Sequence, residues 1–424
     1  KLAPKQTLKD PVPVKDLYMT IDPRAEWTQI FNEVWRKYRD FFYDPNMHGV
    51  DWDGLRQHYA TLLDDAVTRG DVNLIIGNLI AELNSSHTYV FGGDMERGER
   101  KNVGLLGINW KLKNGAYQID KIIEPPQWEN EVRSPLAAPG VDVEEGDYIL
   151  AVNGKKINPD KEPYSAFTGL AQKTVSLTVN NKPSFEGSRE IIIKTLASER
   201  RLRNLAWIDS NRKYVERLSD GKLGYIYMPN TATSGQTELI RQFYGQFDKK
   251  GFIIDERFNS GGQLAHRFIE LLSRPIVHYI SRRNGPNWQI PEQAHEGPKV
   301  MLINGWSVSG GDAFPYTFKS QDVGPIVGTR TAGGLIGPAT GHRLIDGGIY
   351  TVPGGRIFSV DEEWFPESHG VEPDIKVIDD PTKLARGEDP QIKRAVEEAL
   401  RLLKENPPKK VEHPPFEDMT PNNN

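Results

Sequence analysis

The sequence predicts a multidomain α/β protein. It has a helical segment over residues 22–97, a β-rich domain over 98–198, an α/β layer (a βαβ sandwich) over 199–385, and a C-terminal helix within 386–424. Three observations lead there. Apolar Trp27, Ile30, Phe31, Val34, Trp35 and Tyr38 recur at helical spacing early in the chain. Short β-rich runs between Pro and Gly turns follow: GLLGINW, YQIDKII, DYILAVNG and EIIIKTL. Beyond residue 200, the runs KLGYIYMP, GFIIDER, KVMLIN and GPIVGTR alternate with helical stretches, as strands covered by helices do.

The elements follow in order. Residues 1–21, rich in Lys and Pro, read as a linker. Asp22-Pro23-Arg24-Ala25-Glu26 offers an N-cap, a proline at the first helical position and an acid in the first turn. A second helix is expected over 52–63. A third, starting after Asp71, carries Leu74, Ile75, Leu79 and Leu83 and runs into the polar turn NSSHTYVFGGD. In the α/β layer, helices are expected over 235–247, 263–272 and 312–320. An amphipathic helix over 389–404 precedes a Pro- and Asn-rich end expected to be disordered.

The totals exclude several function classes. A length of 424 residues suits two or three domains. With 37% hydrophobic and 26% charged residues the core supply is ordinary. A net charge of -5 gives no basic field to attract nucleic acid. The longest apolar runs fall far short of the ~18 residues that a membrane span needs. Neither nucleic acid nor membrane is therefore expected as a partner. The absence of cysteine excludes disulfides, thiolate zinc sites and cysteine nucleophiles, and fits either redox compartment. No HExxH or carboxylate-rich ligand spacing occurs, so no metal and no other cofactor is expected.

The stretch NGWSVSGGDAFPYTFKS places Ser307 and Ser309 just beyond the run KVMLI. Open α/β sheets collect their chemistry beyond the carboxyl ends of strands. A helix starting there offers unpaired amides and a positive dipole end, suited to an oxyanion. Gly310 and Gly311 let the backbone bend and approach a substrate. The turn is functionally like a nucleophile elbow, without its G-x-S-x-G pattern, and Asp312 is placed to cap the helix. An N-capping serine in a glycine turn would look the same. Three other segments bear on the choice. GFIIDERFNSGGQLAHRF brings a second glycine turn, with Gly261 and Gly262. NSSHTYV sets a hydroxyl directly before His87, and FPESHGVEPDIKV carries Glu367 on a broken loop. Singly, each is ordinary: an αβ loop, a surface histidine, a solvated acid.

Two resemblances add to this reading. SPLAAPGVDVEEGDYILAVNGKKI resembles a PDZ domain, with SPL-A-x-PG and then GD-x-I-L-x-VNG. Such domains add a peptide C-terminus as a strand and hold its carboxylate on backbone amides. The resemblance implies Gly104, Leu105, Leu106, Gly107 and Ile108 as that loop; a structural hinge with no peptide site is the alternative. The ordered motifs S-H-x-Y-V, D-x-R-x-N-x-G-G, S-x-G-D-x-F and E-x-x-G-V-x-P-D resemble tricorn-type proteases over residues 22–405. These belong to the same wider family as the C-terminal processing peptidases. The resemblance implies Ser309, not Ser307, as nucleophile and His87 as general base, with Ser86 and Glu367 completing a tetrad. It implies an oxyanion hole from the Gly310 N–H and one from Gly261 or Gly262.

The chemistry suits these roles. A serine hydroxyl needs a base to take its proton, and an imidazole does so near neutral pH. Processing peptidases use a lysine after the serine, but Gly334 stands where it would fall. Arg330 cannot replace it, because a guanidinium does not deprotonate. A second departure is Gly310, where tricorn-type chains often carry an acid. The implied function is a serine peptidase cleaving peptides or oligopeptides through an acyl-enzyme. A non-catalytic PDZ-type peptide-binding scaffold and an esterase-type acyl hydrolase are the alternatives. The resemblance also implies β-propeller domains missing before the helical segment, homo-oligomeric rings and a cytoplasmic location. A periplasmic or secreted location stays open because the N-terminus looks truncated.

Overall fold

The computed structural model describes residues 13, 17–337, 339–409 and 411–419, so most of the expected linker and the end of the tail lie outside it. The chain divides into two compact units. One comprises the described residues up to 97 together with 334–368; the other comprises 98–333 and the described residues from 369 onward.

The first unit is helical with one small sheet. Helix Pro23–Phe41 starts as its sequence directs, with the Asp22 side chain accepting from the Arg24 and Ala25 amides. Helix Trp52–Thr61 continues as a 3₁₀ turn, Leu62–Asp65. The third helix, Arg69–Ala81, begins earlier than expected. Thr68 is its N-cap, and Asp71 is the reciprocal partner at the third helical position, not a residue before the start. Strand Val90–Phe91 pairs with Ile349–Pro353, which pairs with Ala339–Arg343, all antiparallel. Ile30, Phe31, Val34, Tyr38, Val72, Ile76 and Leu79 pack with Tyr350 and Val352 in one core. Residues 334–368 thus fold onto helices more than two hundred positions earlier. The Arg69–Asp346 ion pair, 2.6 Å and almost wholly buried, fixes that return.

The second unit holds a β-rich lobe and a parallel sheet. The lobe's strands run in the order Ile108–Lys113, Ala116–Ile122, Tyr148–Val152, Thr174–Asn180 and Arg189–Lys194, with antiparallel neighbours. Its core includes Ile108, Ile119, Ile149, Phe167 and Leu177. The parallel sheet has the order Ile375–Lys376, Ile326–Gly328, Lys299–Ile303, Gly251–Asp255 and Leu223–Tyr227. Helices Arg200–Leu218 and Pro390–Glu405 supply Val215, Ile392, Ala395, Val396 and Ala399 to one face. Helices Ala265–Leu272 and Gly310–Ser320 meet through an edge-to-face pair, Phe268 and Phe314. Two glutamines of helix Thr233–Tyr244 and its extension cover the edge strand. Gln242 bonds both the N–H and C=O of Tyr227 (2.9 and 3.1 Å), and Gln246 does the same for Tyr225 (3.1 and 2.8 Å). The two amides stand in for the missing neighbour strand. Among the described residues, no helix is long and apolar enough to cross a membrane.

Candidate active site

The expected site residues fall into two groups, one in each unit. In the second unit, three strands end on one side of the sheet, and their loops carry Thr231, Gly261 and Ser309. Ser309 is the N-cap of helix Gly310–Ser320, with φ 61° and ψ -115°. This left-handed conformation is costly for a residue with a Cβ and is held by its surroundings. The Ser309 N–H donates to Asp312 Oδ2 (2.8 Å), while Asp312 Oδ1 accepts from Gly333 N (2.7 Å). Asp312 is therefore not the cap itself but a buried clamp on the serine's backbone. Ser307 is wholly buried and donates its hydroxyl to the Glu256 carbonyl (3.0 Å), a structural use.

Asn259 organises the second loop. Its Oδ1 accepts from Gly261 N (2.9 Å), and its carbonyl accepts from Val308 N (3.1 Å). The expectation that Gly261 or Gly262 supplies an oxyanion donor is narrowed here, because the Gly261 N–H is already spent. Gly261 serves close approach instead: a Cβ there would stand 2.9 Å from the Ser309 Cβ. Asn304 Oδ1 accepts from both Phe258 N and Trp306 N (3.1 and 3.2 Å), tying the two loops together.

Beneath the turn lies Glu256, fully buried. Burial pushes its carboxyl well above the usual range; the Ser307 hydroxyl opposes this, and the charges of Asp312 and Asp255 add to it. The folded chain therefore holds this proton more tightly than the unfolded chain does. Stability must fall as pH rises above the unfolded glutamate value of about 4.3. Glu256→Gln is expected to be more stable than wild type at pH 8, with the difference closing towards pH 4. Denaturant unfolding at the two pH values measures it, and a pH-independent difference would contradict the assignment.

In the first unit, Ser86, His87 and Glu367 come together. Ser86 Oγ lies 3.0 Å from His87 Nδ1 and 3.4 Å from the Ile336 carbonyl. With the hydrogen on Nδ1, the imidazole donates to Ser86. Glu367 anchors the cluster through backbone amides. Its Oε1 accepts from Ser86 N (3.1 Å), and its Oε2 from Leu335 N and Ile336 N (2.8 and 3.0 Å). His87 has φ 56°, and its carbonyl accepts from Thr351 Oγ1 (2.6 Å). Both the serine and the histidine are thus held in unfavourable backbone conformations, as functional positions often are.

Three amides of the loop expected to capture a peptide carboxylate bond within the chain. Gly104 N donates to the Phe167 carbonyl and Leu105 N to that of Leu196, both at 2.9 Å. Gly107 N donates to Glu199 Oε1 (2.5 Å), an internal carboxylate in the place foreseen for a peptide's own. Leu106 O accepts from Ser134 Oγ (2.7 Å), and Ile108 O from Arg203 Nη2 (2.7 Å). Glu199 and Arg203 begin helix Arg200–Leu218, which the sequence reading passed over, and they lock the lobe to it.

Three family profiles match in sequence order: the tricorn protease C1 domain over residues 23–81, the tricorn protease PDZ domain over 104–198, and peptidase family S41 over 222–377. Tricorn protease homolog 1 of Streptomyces coelicolor is 37% identical over 394 residues, 92% of this chain and 36% of that protein. The tricorn protease of Thermoplasma volcanium is 29% identical over 381 residues, 90% of this chain and 37% of that one. The crystal structure of the tricorn protease matches with a TM-score of 0.83 at 27% identity, over 90% of this chain and 37% of that chain. Mature CPAF complexed with lactacystin shares the fold, with a TM-score of 0.51 at 15% identity, over 90% of this chain and 99% of that chain. The chain spans just over a third of the length of these tricorn relatives. With the C1, PDZ and peptidase profiles met in succession, the chain matches the C-terminal domains of the tricorn proteases and carries a peptidase family S41 domain.

Proposed function

We propose that the chain carries the catalytic part of a serine peptidase that cleaves peptides or oligopeptides through an acyl-enzyme. Ser309 attacks the scissile carbonyl, and His87 takes its proton. Ser86 and Glu367 orient the imidazole, and the amides of Gly310 and Gly262 receive the oxyanion. The observation that carries this reading is the conformation of Ser309: a strained serine at a strand-to-helix turn, with glycine backbones packed against it. The Ser86–His87 contact and the amide-anchored Glu367 support the base assignment. The reading requires His87 Nε2 to come within proton-transfer reach of Ser309 Oγ in the working enzyme.

A peptidyl phosphonate directed at serine peptidases tests it. The adduct is expected on Ser309, with both labelling and peptide hydrolysis lost in Ser309→Ala. An adduct on Ser307, or hydrolysis that survives Ser309→Ala, would refute the assignment. Comparing a peptide with a small ester on the same preparation separates a peptidase from an esterase-type hydrolase.

A further inference from the structure

Thr231 lies in the loop after strand Leu223–Tyr227 and has no part in the reading above, on which this inference rests. Its backbone is fully used: its N–H donates to the Gly261 carbonyl (2.9 Å), and its carbonyl accepts from Leu264 N (2.8 Å). Its hydroxyl is another matter. Thr231 is completely buried, and its Oγ1 has no hydrogen-bond partner among the described residues. Capping does not explain it. The amides opening helix Thr233–Tyr244 are taken by Asn230 Oδ1, which accepts from Ala232 N and Gly235 N at 3.0 Å each. A buried hydroxyl without a partner is a standing cost to folding, tolerated where it has another use.

The surroundings indicate that use. A Cβ on Gly310 would stand 2.0 Å from Thr231 Oγ1, 2.6 Å from Gly262 N and 2.3 Å from Gly262 O. The hydroxyl thus packs directly against the Gly262 and Gly310 backbones, the two glycines assigned to the oxyanion above, and only glycine at 310 leaves room for it. A threonine hydroxyl rotates to donate wherever an acceptor appears.

We propose that Thr231 donates a side-chain hydrogen bond to the oxyanion formed when Ser309 is acylated, beside the amides of Gly310 and Gly262. The new bond is Ser309 Oγ to the carbonyl carbon, and the carbonyl π pair moves onto oxygen. The serine proton passes to His87, and Thr231 keeps its own proton while donating. When the intermediate collapses, the amine leaves with the proton from the imidazolium.

The test uses the full chain with Thr231→Val, Thr231→Ala and Thr231→Ser. Phosphonylation of Ser309 forms a comparable oxyanion and is read as a second-order rate, alongside kcat and KM for a peptide. Thr231→Val is expected to fold with an equal or higher Tm, since it removes an unpartnered hydroxyl. Yet it should lower phosphonylation and kcat by on the order of 100-fold, with KM little changed. Thr231→Ala should show the same loss without any risk of crowding, and Thr231→Ser should recover most of the rate. A merely structural threonine predicts the opposite pattern, in which activity follows stability. Wild-type rates in Thr231→Val or Thr231→Ala would overturn the proposal while leaving Ser309 in place. A wild-type chain whose Ser309 does not label would overturn the peptidase reading, and this inference with it.

Discussion

Replacing His87 with alanine is expected to lower kcat/KM for peptide hydrolysis by roughly 10⁴-fold or more, the scale on which serine peptidases lose activity without their base. The neighbouring substitutions should fall in order below it. Ser86→Ala removes one hydrogen bond to an imidazole that becomes charged. That is worth about 1.5–3 kcal/mol, or roughly 10- to 150-fold. Glu367→Ala should cost more than Ser86→Ala. It frees three backbone amides, those of Ser86, Leu335 and Ile336, and so loosens the turn that aims the histidine. Steady-state kinetics on the four chains checks the ranking, with phosphonate labelling confirming that Ser309 stays accessible. Activity in His87→Ala within tenfold of wild type would remove the histidine from the mechanism.

Much of this candidate site is legible in the sequence, because its signals are local. The S-G-G-D turn, the apolar run before it and the helical spacing after it occupy one short stretch, so strand, elbow and helix follow from neighbouring residues. The same holds for helix Pro23–Phe41, whose cap, proline and first-turn acid lie within five positions.

What stayed hidden depends on pairing across long separations. Val90 opposes Tyr350, and Arg69 meets Asp346. No local pattern says that residues 334–368 fold with the first helices, or that Glu367 will hold the amide of Ser86. Helix Arg200–Leu218 was missed for a different reason. Its buried face includes Asp209 and Asn211, so its apolar stripe is broken by polar residues that only tertiary partners justify. Among these partners is Tyr225, whose hydroxyl accepts from Asn211 at 3.1 Å. In the expected carboxylate loop, Glu199, nearly a hundred positions on, bonds Gly107 N, a pairing that no local pattern announces. Thr231 gave no signal at all, since an orphaned hydroxyl is a property of packing.

The largest stability effect is expected at Arg257, within the motif that also holds Asn259. Arg257 is buried and forms a fork on Asp255 (Nε to Oδ1 2.9 Å, Nη2 to Oδ2 2.6 Å). Its Nη1 reaches Asp389 Oδ2 (2.8 Å) and Gln391 Oε1 (2.9 Å). Asp389 in turn caps helix Pro390–Glu405 through the amides of Gln391 and Ile392. One guanidinium therefore joins the end of a central strand to the start of the C-terminal helix. Arg257→Met leaves two buried carboxylates facing each other without a counter-charge and should cost about 3–5 kcal/mol. Arg257→Lys should lie between, because an ammonium keeps the charge but not the planar fork. Adding Asp255→Asn to Arg257→Met should recover part of the loss, because it removes one stranded charge. Denaturant unfolding of wild type, the two Arg257 variants and the double variant measures these losses, and a loss below about 1 kcal/mol in Arg257→Met, the scale of an exposed ion pair, would contradict the assignment. The loop that Arg257 anchors positions Gly261 and Gly262 beside Ser309, so the same substitution should lower activity at temperatures where the chain is still folded. The arginine keeps two carboxylates buried, and through them the C-terminal helix secures the loop that carries Gly261 and Gly262.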